Sequence, residues 1–81
     1  MSTIKLLWDF RGPGAKGTAE HHVIHLNEFA TRENIENRGA GTTEHSEVFW
    51  SAWLCVPEAD MLKVRDALKP HRGQRVADAS S

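Results

Sequence analysis

At 81 residues the chain has room for one core and not for two. Ten basic and eleven acidic residues leave a formal net charge of −1, so no strong field draws it to nucleic acid or to an anionic membrane, and no apolar run is long enough to span a bilayer. The lone cysteine, Cys55, cannot form a disulfide within the chain. MSTIKLLWDF at the N-terminus reads as a strand and not as a secretory leader, and the two observations together point to a reducing, cytoplasmic setting.

Thr3 to Phe10 alternates with a period of two. Ile4, Leu6, Trp8 and Phe10 share one face, and Thr3, Lys5, Leu7 and Asp9 share the other, which predicts a first strand. Arg11 to Gly17 breaks the pattern as a loop. Thr18 then suits a helix N-cap, because its hydroxyl can accept from a free backbone N–H. Ala19, Val23, Leu26 and Ala30 follow at helical spacing, flanked by His22 and Phe29, and Asn34 suits a left-handed residue at the helix end.

The segment from Ile35 to His45 is polar, with glycines at 39 and 41, and predicts a short, irregular edge strand followed by a turn. Glu47 to Val56 carries the clearest strand signal. Val48, Trp50, Ala52, Leu54 and Val56 alternate with Phe49, Ser51, Trp53 and Cys55. Pro57 opens a second helix with its stripe on Met61, Val64 and Leu68, and Pro70 ends it. Gln74 to Val76 predicts a last edge strand. Residues 1–76 thus form one domain, and 77–81 read as a loose tail.

The order β-α-β-β-α-β with right-handed crossovers defines a ferredoxin-like α+β sandwich: a four-stranded antiparallel sheet with two helices on one face. That topology makes the first and third strands central. They are also the two most hydrophobic, an internal check on the assignment.

Three features invite a chemical reading. The first is the loop Gly12-Pro13-Gly14-Ala15-Lys16-Gly17, which matches G-x-G-x-x-G between a strand and a helix. A dinucleotide-binding reading fails because the chain is too short for the usual parallel sheet and the third glycine precedes the expected cap. A weaker version survives, in which free N–H groups at Thr18, Ala19 and Glu20, with Lys16 nearby, hold a small anion.

The second is the histidine cluster. His21 and His25 lie one helical turn apart and could chelate a divalent metal such as zinc, with His45 or Glu28 as possible further ligands. No thiolate or certain third ligand accompanies them, so the expectation is weak binding at best and no obligatory cofactor.

The third is the sheet face opposite the helices. Leu7, Phe49, Trp53 and Cys55 form an apolar patch there on adjacent central strands, and such patches mark interaction surfaces. Aromatics on an open ferredoxin-like sheet resemble the RNA-recognition module, but the third strand lacks that module's basic-Gly-aromatic-Gly start and the charge balance is unsuitable. The expected partner is a second copy, and neither nucleic acid nor a membrane. Dimeric α+β barrels pair sheet to sheet in this way, and a small domain benefits from the added burial.

No catalytic constellation stands out. Cys55 sits mid-strand in apolar surroundings that disfavour a thiolate. The leading reading is a homodimeric binding or regulatory module. The alternatives are a small enzyme or ligand-binding protein, with a pocket between sheet and helices using His22 or His25, and a weak metal binder.

Overall fold

The computed structural model describes residues 2–76. Their elements are β1 (Thr3–Arg11), α1 (Ala15–Arg32), β2 (Ala40–Ser46), β3 (Phe49–Pro57), α2 (Glu58–Leu68) and β4 (Arg72–Val76). The strands form one antiparallel sheet in the order β2-β3-β1-β4, the ferredoxin-like arrangement expected from the element order. The loose tail expected at 77–81 lies outside the described residues.

Alternation fixes which face of each central strand is buried against the helices. Ile4, Leu6 and Trp8 of β1 and Ala52, Leu54 and Val56 of β3 share one core with Ala19, Leu26, Phe29 and Ala30 of α1 and Val64 of α2. Both helices therefore lie on the same side of the sheet. Trp8 and Trp50 are both beneath them. The Trp8 indole N–H donates to the Leu68 carbonyl at 2.8 Å, and Lys16 of α1 sits 5.7 Å above the Trp50 ring. A slip of one residue in β1 or β3 would have turned these side chains to the other face.

The ends of the elements differ from the sequence reading in several places. Helix α1 begins at Ala15, not at Thr18, with Gly14 as its N-cap and no side-chain cap. Ala15 and Ala19 lie one turn apart and are both buried, so packing extends the apolar stripe back through Gly17. Strand β3 begins at Phe49, and Val48 lies in the preceding turn with its side chain exposed and not under the helices. There its carbonyl accepts from Gly12 N–H at 2.8 Å, where φ of +110° requires glycine. Strand β4 is longer than expected, starting at Arg72.

The end of α1 follows the sequence signal at Asn34. Its φ is +57°, Asn34 N–H reaches the Thr31 carbonyl, and Ile35 N–H reaches Ala30 at 2.9 Å. This is a Schellman motif, which turns Ile35 back into the core.

Candidate functional site

The sheet face away from the helices carries Thr3, Lys5, Leu7, Asp9 and Arg11 from β1 opposite Pro57, Cys55, Trp53, Ser51 and Phe49 from β3. The pairing brings Leu7, Phe49, Trp53 and Cys55 onto one surface, as the alternation requires. Their exposure is uneven. Trp53 and Phe49 are half-buried, whereas Leu7 keeps 4% and Cys55 8% of its surface.

Neighbouring side chains explain the difference. Leu7 lies between Trp53 on β3 and Arg72 on β4. Cys55 is flanked by Lys5 and by the Arg38–Gly39 backbone, which extends the β2–β3 ladder through Arg38 N–H to the Cys55 carbonyl and Cys55 N–H to the Gly39 carbonyl. The Lys5 and Arg72 side chains thus flank the smaller apolar groups, with their heads on the Trp53 ring and the Asp9 carboxylate. The apolar patch is therefore centred on Trp53 and Phe49, and Leu7 and Cys55 form its floor. Burial pushes the Cys55 thiol up from its ordinary value, against the pull of Lys5, which suits packing and not nucleophilic chemistry.

Both aromatics already carry cations. Lys5 sits 4.6 Å above the Trp53 ring, and Arg11 lies 3.9 Å from the centre of Phe49, whose ring also stacks on His45 at 4.3 Å.

A polar network runs beside them. Ser51 is fully buried, and its hydroxyl donates to Asp9 Oδ1. With that proton committed, Ser51 accepts from His45 Nε2 at 2.8 Å. Arg72 spans both Asp9 oxygens at 3.2 Å. Burial alone would raise the Asp9 carboxyl. The Ser51 and Arg72 hydrogen bonds, together with the positive charge around it, outweigh burial and hold it below its ordinary value. Serine is the middle member and points its proton at the Asp9 carboxylate, so His45, which meets the same oxygen, is not the acceptor of that proton. The network ties β1, β2, β3 and β4 together.

The sequence reading missed this network because Asp9, His45, Ser51 and Arg72 converge only once the strand register is known. His71 extends the β1–β4 ladder in an unusual way that its place in the sequence does not show. Its backbone N–H donates to the Leu7 carbonyl, and its Nδ1 accepts from Asp9 N–H at 2.8 Å, taking the place of a strand carbonyl.

The histidines of α1 divide between two environments. His21 and His25 are exposed, with their Nε2 atoms 2.9 Å apart, and Glu28 lies 3.3 Å from His25 Nδ1. His45, the other ligand considered, is on the far side of the sheet with Ser51. Among the described residues no three His, Cys, Asp or Glu side chains gather as a metal-binding group. His22 packs between Trp8 and Phe10, with ring centres 5.1 and 5.4 Å away. Its Nε2 is buried without a hydrogen-bond partner. Burial, then the charges of His25, His71 and His21, push its pKa down.

The anion site expected at Lys16, Thr18 and Ala19 loses a donor to the earlier helix start. Thr18 N–H bonds to the Gly14 carbonyl at 3.0 Å, and Lys16 leans over Trp50.

Comparison with known proteins finds no family model, no curated protein and no solved structure that matches this chain. The case for function therefore rests on the surfaces described above.

Proposed function

We propose that the protein is a small binding module that pairs with a second copy through its open sheet face. The observation that carries this reading is the half-buried pair Trp53 and Phe49 on the central strand β3, on the side no helix covers. Aromatic anchors rimmed by polar side chains are the usual composition of an interface centre.

Charge favours a copy of the same chain over a polyanion. The rim carries both signs, and its cations answer its own acids: Arg72 on Asp9 and Arg38 on Glu36. Such a surface can be self-complementary, as a two-fold interface requires. Cys55 and Leu7 contribute as the floor beneath the anchors. An aromatic pair buried on both chains would have to outweigh an association cost of about 4–15 kcal/mol, so a dimer in the micromolar range is the expected strength.

Sedimentation of the wild type and Trp53→Glu across a concentration series tests this. The wild type should pass from monomer to dimer in the micromolar range, and Trp53→Glu, which sets like charges near the two-fold axis, should stay monomeric with unchanged circular dichroism. A wild type that remains monomeric at high micromolar concentration overturns the proposal.

A further inference from the structure

A groove of about 410 Å3 opens between α2 and the edge strand β4, on the helix side of the sheet, and its lining reaches round the β4 edge to Arg72. Sequence and register explain its origin. On β4 the helix-facing positions are Gly73, opposite Leu6, and Arg75, opposite Ile4. Neither supplies an apolar side chain to fill the layer. Helix α2 packs over β1 and β3 and meets β4 through the Glu58–Arg75 ion pair, which leaves a groove floored by the buried Ile4 and Leu6 and the partly buried Met61. Its volume lies within the range of small-molecule sites, about 300–1,000 Å3.

Its rim is cationic. Arg65 from α2 and Arg75 from β4 both line the groove, and no carboxylate does among the described residues. Arg65 meets the exposed Asp66 at 3.4 Å, and Arg75 forks onto the exposed Glu58 at 2.9 and 3.3 Å and donates to Ser2 Oγ as well. A single exposed contact such as Arg65–Asp66 holds weakly and can be exchanged for a ligand, and the Arg75 fork is the firmer of the two. A guanidinium fork recognises a carboxylate in two-point fashion, and an apolar floor takes a hydrocarbon tail.

We infer that this groove binds a monocarboxylic acid with an apolar tail, the carboxylate on Arg65 and Arg75 and the tail on Ile4, Leu6 and Met61. Gly73 is the residue that keeps the space open. A Cβ at position 73 would meet Leu6 Cδ2 at 3.4 Å, so a larger side chain there would occupy the tail site.

Titration of the full chain with octanoate, followed by amide NMR, tests the assignment. Saturable shifts are expected at Leu6, Met61, Gly73 and Arg75. Octanol, which lacks the head, and acetate, which lacks the tail, should bind far more weakly. Arg65→Gln, an exposed and structurally mild change, should weaken octanoate by about tenfold, as expected for loss of one charge-assisted contact. Gly73→Leu should abolish the shifts while the sheet amides keep their dispersion. The inference is overturned if octanoate does not saturate at millimolar concentration, if octanol binds as tightly, or if Arg65→Gln leaves affinity unchanged. It is also overturned if the shifts map to Trp53 and Phe49. Sedimentation of Trp53→Glu reads the other face, so each idea can fail without the other.

Discussion

The indole of Trp53 occupies the space in which a side chain at Gly41 would begin. The two residues are direct cross-strand partners, and a Cβ on Gly41 would lie 2.9 Å from Trp53 Cζ2. An aromatic laid over a strand glycine covers backbone that would otherwise be bare. Gly41→Ala should therefore push Trp53 off the sheet and destabilise the fold by about 1–3 kcal/mol, the usual range for overpacking. Urea unfolding followed by tryptophan fluorescence checks it. An unchanged midpoint would mean that the indole has another position of equal energy.

Ser51 should be costly to lose for its size. It is fully buried and serves Asp9 and His45 together. Ser51→Ala removes the partner of His45 Nε2 and one of the donors to Asp9, which keeps Arg72, and a destabilisation of about 1–3 kcal/mol is expected. Asp9 sets the acid response of the same network. Its folded pKa lies below the ordinary 3.8, so the stability it contributes is present above that value and lost as pH falls through the folded pKa. Asp9→Asn should flatten stability against pH below about 4. Urea midpoints measured down the acid range would show this, and an unaltered slope would remove Asp9 as the source.

His22 gives a second, milder acid limb. Its pKa is pushed below the ordinary 6.5 by burial between Trp8 and Phe10, with smaller contributions from His25, His71 and His21. The unfolded chain then takes up a proton below pH 6.5 that the folded chain refuses. Stability should fall as pH drops from 6.5 towards the folded value and level off beneath it. His22→Leu, which also removes the partnerless buried Nε2, should reduce that slope. Histidine NMR titration of the wild type gives an independent reading, and a normal His22 midpoint would sink the explanation.

The central sheet was legible because β1 and β3 alternate strictly, and alternation assigns every side chain to a face. It does not assign exposure. Leu7 and Cys55 fall on the expected side yet are buried there, because Trp53, Arg72, Lys5 and the Arg38–Gly39 backbone lie beside them. Ile35 was hidden in a polar segment, and only the helix-end motif at Asn34 turns it into the core. The α1 start was misplaced because Gly17 resembles a loop residue, while the i, i+4 pair Ala15 and Ala19 carried the opposite signal. The groove depends on Gly73 facing Leu6, a statement about register that no single strand contains.

Helix α2 is held to the body by few contacts, and Trp8 supplies one of the most specific. Val64 is its only fully buried residue, with Met61 and Leu68 partly buried. The Trp8 indole N–H to the Leu68 carbonyl ties down its C-terminal turn, just before Lys69 adopts φ of +51° and the chain reverses into β4. Trp8→Phe removes that bond and part of the ring beneath the helices, and an overall loss of about 1–3 kcal/mol is expected. The distribution of the loss is more telling than its size. Hydrogen exchange should accelerate first at the amides of residues 62–68, which can open while the β1–β3 ladder stays closed. Val64→Ala should loosen the same amides without altering the Trp8 indole proton, which separates lost packing from the lost hydrogen bond. If Trp8→Phe instead raised exchange equally across β1, β3 and α2, the helix would not be a separately opening unit, and Trp8 would act through the shared core alone.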